Sequence, residues 1–358
     1  MPKTYNDLYD NIISVDSLYD AYYEITSEKR FKPSTLIAAD HIEYTIDRLH
    51  NDLDNMTWQP DAYREFMTRK EVKRRIVNEP SFRDRILQNS ITVKTFPLFA
   101  PKFIYHSYAA TPGKGPLLAA MTAQSFMRAA RHNGPVYVLQ CDIHHYYDSV
   151  RHDILMEQIS RTIRDKRLLE IWWRMIHGFH GDTGTGIALG ARTNQLGANI
   201  YLNVLDHFVK DCMGWRYYLR FMDDFLLIGN DKQELRRALA DIKWLLDTAL
   251  RLKLNDRTKI FSVTQGADYV GYRIFLDHLL PRKRNVKAAR IRFKDLSRRF
   301  RHGEITVEYA GRRVNSFLGY MKHCDGMRTT ESTLKYLRLT KGDKDNGKNS
   351  IDCHDHGI

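Results

Sequence analysis

Two short apolar runs, residues 217–221 (YYLRF) and 225–228 (FLLI), stand three residues apart in this chain of 358. Their aromatic and β-favouring content suits strands, and so short a link makes the pair an antiparallel hairpin. The linking residues are Met222, Asp223 and Asp224. A solvated turn would accommodate these acids. Alternatively, the closed end of the hairpin offers two carboxylates to hard divalent cations, which prefer oxygen. That second reading requires another carboxylate from a neighbouring strand.

The stretch "CDIHHYYDSV" supplies one. Asp142 closes the alternating, β-branched run "PVYVLQCDI", 81 residues before Asp223. Between them, "HDILMEQISRTIRDKRLLEIWWRMI" carries apolar residues at helical spacing, and "GDTGTGIALGARTNQLGANIYLNVLDHFVKDC" runs from glycine-rich loop into helix. A helix over 231–252 and a strand over "ADYVGYRIF" follow the hairpin. Strand, helix, hairpin, helix and strand make a palm-like α+β arrangement rather than a doubly wound sheet. Three carboxylates on adjacent strand ends can hold two Mg²⁺ ions, with Mn²⁺ as a substitute. Such a pair stabilises the attacking and leaving oxygens of an in-line displacement, the chemistry of nucleotide addition.

Charge points to the same class of partner. Fifty-six Lys and Arg against 43 Asp and Glu leave a formal charge of +13, which favours a polyanion such as nucleic acid. Arginine crowds into 282–301, "RKRNVKAARIRFKDLSRRFR", where a helix would carry basic residues on several faces. The cysteines at 141, 212, 324 and 353 form no C-x-x-C pair and suit reduced thiols. No apolar run spans a bilayer, and the first residues lack a signal peptide's apolar segment, so a cytoplasmic location is expected. Upstream, "PSTLIAADHIEYTIDRLHNDL" reads as a helix starting at Pro33 and Ser34. The tail from residue 341 is polar and reads as disordered, with Cys353, His354 and His356 not expected to bind metal.

Ordered along the chain, these segments resemble the reverse transcriptases. "CDIHHYYDSV" is similar to their motif A, "LGARTNQLGANIYLNVLDHFV" to motif B and "YLRFMDDFLLIG" to motif C. "LKLNDRTKI" and "YVGYRI" are similar to motifs D and E, and "RRIVNEPSFRDRILQNSI" and "SYAATPGKGPLLAA" to the two fingers motifs of bacterial members. The resemblance covers roughly residues 70–320. It implies a right-hand polymerase of α+β class: an N-terminal helical segment (1–57), fingers (58–134), a palm of antiparallel sheet and packed helices (135–278), a helical basic thumb (279–340) and the tail (341–358).

The resemblance assigns Asp142 and Asp223 to two metal ions, Asp224 as a third, less direct acid, and the Ile143 carbonyl as a further oxygen. Tyr147 takes the place of the steric gate that excludes a 2′-hydroxyl; a buried structural tyrosine is the other reading. His144 and His145 read as packing or surface residues, because the expected ions are hard. Arg74, Arg75 and Lys114 would meet the triphosphate, although Thr111 stands where relatives often carry arginine. In motif D, Arg257 replaces the usual lysine and holds its proton, which leaves Lys259 to protonate pyrophosphate. Gly271 and Tyr272 would form the primer grip. Arg282, Lys283, Arg284, Arg290 and Arg298 would lie on the backbone of an RNA–DNA hybrid, a duplex recognised mainly by shape.

Motif B carries the subclass. Many bacterial and intron enzymes read Q-G-x-x-x-S-P, whereas those of diversity-generating retroelements read a branched residue followed by G-x-x-x-S-Q. "LGARTNQ" keeps Leu189, Gly190 and Gln195, with Asn194 in place of the serine. The chain has no recognisable maturase, RNase H, endonuclease or integrase segment. The expected function is therefore RNA-directed DNA synthesis by an error-prone retroelement mutator, with Gln195 beside the nascent base pair. Its expected partners are a template RNA, dNTPs and a small basic accessory protein forming a helical oligomer. A phage-defence or retron-type enzyme, and a catalytically silent RNA-binding scaffold, are the alternatives.

Overall fold

The computed structural model describes residues 3–27, 39–67, 76–180 and 183–340. The helix start expected at Pro33 and Ser34, the residues Arg74 and Arg75, and the tail from 341 lie outside the described residues. In chain order the elements are α1 (Tyr9–Ile13), α2 (Val15–Thr26), α3 (Ile42–Asp54), β1 (Arg64–Met67), β2 (Ile76–Glu79), α4 (Phe82–Phe99), α5 (Pro116–Arg131) and β3 (Tyr137–Asp142). Then come α6 (Tyr146–Ser149), α7 (His152–Ser160), α8 (Lys166–His180), α9 (Arg192–His207), β4 (Tyr218–Phe221), β5 (Asp224–Gly229), α10 (Lys232–Ala249) and β6 (Lys259–Ser262). Strands β7 (Ala267–Tyr269), β8 (Tyr272–Ile274) and β9 (Leu279–Pro281) precede α11 (Lys283–Arg301), α12 (Val307–Met321) and α13 (Met327–Leu334). Two compact units divide after Asp277.

The first unit is built on an antiparallel sheet of order β4-β5-β3-β6. Side chains alternate across its faces, so Leu139, Cys141, Tyr218, Phe225 and Leu227 enter the main core with Leu196, Leu202 and Leu205 of α9 and Ile242 and Leu246 of α10. On the other face Val138, Leu219, Leu226 and Ile228 are buried as well. Helix α5 packs against β4 and β5, and its Ala119, Ala120 and Ala123 are fully buried. Burial on both faces explains why β5 reads as a continuous apolar run instead of an alternating one. Helices α1 to α3 add Ile12, Leu18, Leu49 and Leu53 to the same core, against Ile86, Leu87 and Ile91 of α4. This is the α+β class implied by the sequence.

Two segments differ from their sequence reading. The long helical pattern after His152 breaks between α7 and α8, where Asp165 takes over as a cap. Its Oδ1 accepts from the backbone N–H of Arg167 (3.1 Å) and Leu168 (3.2 Å), and its Oδ2 from those of Leu8 and Tyr9 (both 2.9 Å). One carboxylate thus anchors the first turns of α1 and α8 together. The stretch "ADYVGYRIF" is not one strand but the hairpin β7–β8. Val270 (φ 43°) and Gly271 (φ 94°) form its two-residue turn, whose positive φ angles match the twist of the flanking strands.

In the second unit α11, α12 and α13 enclose Phe293, Leu296, Phe317 and Met321, with the Phe293 and Phe317 rings edge to face at 5.3 Å. Among the described residues no helix is long and apolar enough to cross a membrane.

Candidate active site at the end of the sheet

The register of β3 against β5 sets Asp142 directly opposite Asp224, and β4 against β5 sets Phe221 opposite Asp224. Asp224 is therefore a strand residue, whereas the sequence reading put it in the turn. The turn itself is Met222 and Asp223, with Met222 at φ 54°, a conformation that side chains other than glycine adopt at a cost. Directly paired residues project on the same face of a sheet. Asp142 and Asp224 consequently share a face, with Asp223 one residue beyond.

Beyond Asp142 the strand bridges Leu254: Asn255 N–H donates to the Asp142 carbonyl (2.7 Å) and His144 N–H to the Lys253 carbonyl (2.8 Å). Ile143 lies between these two bonds, so its own carbonyl points to the other edge of the strand, toward β5. The Tyr147 hydroxyl lies 3.9 Å from Met222 Sδ, and Ile187 N–H donates to its carbonyl (2.9 Å), which brings motif A, the loop before α9 and the hairpin turn together. His144 and His145 are exposed; their rings meet at 4.3 Å, and His145 Nδ1 lies 3.3 Å from Asp148.

The other candidate residues divide. Gln195 is half-buried in the wall of a pocket of about 450 Å³, with Thr92, Phe96, Thr111 and Arg192. Its neighbour Asn194 is buried, and its Nδ2 donates to the Ala188 carbonyl (3.2 Å). Lys114 folds back on its own loop: Nζ donates to the Tyr105 carbonyl and sits 4.5 Å from the Tyr105 ring centre, and burial lowers its pKa. Lys259 pairs with Gln140 on the strand beside β3, so it shares the face of Asp142, and its Nζ lies 5.1 Å over the Phe261 ring. Gly271 supplies the β7–β8 turn, and Tyr272 is buried at the start of β8. In the second unit Lys283 and Arg284 are exposed at the start of α11. The backbone N–H of Arg282 donates to the Tyr320 hydroxyl (2.9 Å). Arg290 Nη2 donates to Ser332 Oγ (3.1 Å) and its guanidinium lies over the Tyr336 ring, whereas the exposed Arg298 pairs with Asp295 (2.9 Å).

Sequence reasoning missed the group beneath the turn. Arg220 and Asp206 are fully buried and paired at 2.6 Å. Burial opposes the charge on Arg220, yet the Asp206 carboxylate raises its pKa above the ordinary value. The available signal was a lone arginine inside the apolar strand "YYLRF" and a lone acid inside the apolar helix segment "NVLDHF". Charges at apolar positions imply a buried partner.

A sequence profile described as "Reverse transcriptase (RNA-dependent DNA polymerase)" matches residues 67–274, more than half of the chain. The chain belongs to the reverse transcriptase family. Protein YkfC of Escherichia coli is 27% identical over an alignment that takes in 66% of this chain and 71% of YkfC. The group II intron-encoded protein LtrA of Lactococcus lactis is 23% identical over 58% of this chain, which spans only 36% of LtrA. A solved telomerase from Candida albicans, in complex with a TWJ fragment of telomeric RNA, has a TM-score of 0.42 at 12% identity, covering 86% of this chain and 60% of the telomerase chain. For the Candida tropicalis telomerase in the same kind of complex the values are 0.45, 13%, 81% and 58%.

Reverse transcriptases use divalent metal ions, and the donors at the sheet end can be tested against that need. Among the described residues no three His, Cys, Asp or Glu side chains form a ready metal cage. What the strand register brings together is all oxygen: Asp142 opposite Asp224, Asp223 in the adjoining turn, and the Ile143 carbonyl directed toward β5. That donor set fits a hard ion held by one or two carboxylates and completed by water and substrate phosphates, the usual manner of Mg²⁺.

Proposed function

We propose that this reverse transcriptase copies RNA into DNA by two-metal nucleotidyl transfer, and that it is the error-prone mutator of a diversity-generating retroelement. Asp142 and Asp223, with Asp224 and the Ile143 carbonyl behind them, would hold two Mg²⁺ ions. When bound, the ions supply charge stabilisation for the attacking and leaving oxygens. The chain's own part is positioning: the β3–β5 register fixes the carboxylates, and Tyr147, set against the hairpin turn, limits room at the sugar. Lys114, with Arg74 and Arg75, serves the triphosphate, and Lys259 the pyrophosphate proton. Gly271 and Tyr272 hold the primer end. The cationic residues of 282–298 meet the hybrid backbone, whose phosphates attract them without reading sequence.

The observation that carries the subclass is the division of labour at the end of motif B. Asn194 is turned inward onto the Ala188 carbonyl, while Gln195 enters the pocket wall beside Thr111 and Arg192. A polar amide in that wall would shape the nascent pair loosely. A loss of only ~1.4 kcal/mol in discrimination raises the misincorporation ratio about tenfold. The template RNA and a small basic accessory oligomer complete this reading.

Two measurements test it. Asp223→Asn and Asp142→Asn should abolish Mg²⁺-dependent extension of a primed RNA with the fold intact; retained extension would sink the metal assignment. Complementary DNA made by the wild type and by Gln195→Pro, with native RNA and accessory protein present, should differ in errors opposite adenine. Uniformly low error in the wild type would favour the defence or retron type.

A further inference from the structure

We propose that Arg220, held by Asp206, is a positioning residue that ties the Met222-Asp223 turn to the root of the 109–114 loop, so that the acids and the phosphate-side loop keep one separation. This rests on the two-metal reading above.

The guanidinium divides its bonds in a way that a simple ion pair would not need. Nε (2.8 Å) and Nη2 (2.6 Å) meet the two oxygens of Asp206 on α9. The remaining donors go elsewhere: Nη1 to the Met222 carbonyl (3.1 Å) and to Asn199 Oδ1 (3.1 Å), Nη2 to Ser107 Oγ (3.2 Å). Met222 is the residue at φ 54°, and a backbone in that region persists where its surroundings hold it. Arg220 thus grips the turn at its strained residue, beside Asp223.

The same residue fixes the loop root. Its backbone N–H donates to the His106 carbonyl (3.0 Å) and its carbonyl accepts from Tyr108 N–H (3.0 Å), which lays 106–108 along β4. Asn199, itself bonded to Arg220, donates through Nδ2 to the Ala109 carbonyl (2.8 Å). Lys114 is pinned onto that root, 3.4 Å from the Ser107 carbonyl. Motif B, motif C and the loop before α5 therefore meet at one buried cation. A buried ion pair is weak as a source of stability, since an apolar pair of similar volume often does as well or better. The directional bonds are what an apolar pair could not supply.

Two variants of the full chain separate positioning from stability. Arg220→Met with Asp206→Leu removes both charges and keeps the volume filled; Arg220→Lys keeps the charge, but its single ammonium cannot reach every acceptor. Mn²⁺ binding to the enzyme without nucleotide is followed by water-proton relaxation, and dNTP KM and kcat are read separately in primer extension. Both variants should fold cooperatively, bind Mn²⁺ about fivefold or more weakly, the size of one lost hydrogen bond, and show a KM raised by a similar factor. Asp165→Ala, a destabilising change away from the sheet end, serves as control and should leave Mn²⁺ affinity within twofold. Folded Arg220 variants with wild-type Mn²⁺ affinity and KM would overturn the proposal. If the double variant does not fold, Arg220→Lys decides alone. Failure of the two-metal reading is a separate outcome, because it appears as extension retained by Asp223→Asn.

Discussion

Asp165 offers the sharpest test of how the first unit is held together. Its carboxylate accepts from four backbone N–H groups, two at the start of α1 and two at the start of α8, at 2.9 to 3.2 Å, and it is only 8% exposed. Losing one cap typically costs about 1 kcal/mol, and as much as ~2 kcal/mol in proteins. Here two caps fail together, and the acceptor is charged and buried, which strengthens each bond. Asp165→Ala should therefore cost about 3 kcal/mol. At roughly 2–4 °C per kcal/mol for a domain of this size, that lowers Tm by about 6–12 °C. Asp165→Asn keeps one oxygen and turns an N–H toward the other pair of donors, so it should recover no more than about half of the loss. Urea denaturation gives the free energy, and hydrogen exchange at the amides of Leu8, Tyr9, Arg167 and Leu168 gives the location. A cost below ~0.5 kcal/mol, or unchanged protection at all four amides, would refute the double-cap argument.

Tyr147→Ala should admit ribonucleotides by opening the space beside Met222, read as the ratio of kcat/KM for dNTP over NTP; an unchanged ratio would place the sugar selection elsewhere. Asp84 titrates in an unusual direction for a paired acid: burial raises its pKa to about 6, against the opposing effect of the Asp61 N–H it accepts at 2.8 Å. The folded state therefore binds this proton more tightly than the unfolded chain. Its stabilising contribution is full below pH ~4 and is lost as pH rises through about 6. Asp84→Asn should accordingly compare better with the wild type at pH 7 than at pH 4 in parallel urea melts, and the opposite trend would show that the ionised carboxylate is the favoured form.

The sheet end was open to sequence reasoning because its acids stand where apolar β-runs end. Apolar runs placed β3, β4 and β5, and a glycine-rich loop running into a helical pattern placed α9. What stayed hidden depended on partners distant in the chain. Capping of α8 by Asp165 needs only Arg167 and Leu168, but nothing in the spacing after His152 shows that it also holds α1 until Leu8 and Tyr9 are beside it. Asp224 looks like turn material, and only the pairing of Phe221 and Asp142 with it shows that it belongs to the strand. Val270 disguises a two-residue turn, since a β-branched residue is a poor candidate for positive φ. Lys114 and Arg290 were legible as cations, but whether a cation faces solvent or folds onto a carbonyl, a hydroxyl or a ring is a property of the packed chain.

The opposition of Asp142 and Asp224 also dates the site within the life of the molecule. Because side chains alternate along a strand, slipping β3 by one residue against β5 would set Asp142 on the face opposite Asp224 and scatter the acids. The correct alignment joins residues separated by α6 to α9, so it demands a long loop closure, and contacts of that kind form slowly. A refolding chain would regain helical signal first and competence last. If the sheet-end acids carry the activity, its recovery is in that sense a clock for the slowest pairing, and a population that looks folded by its helices stays enzymatically mute until one strand has found its place.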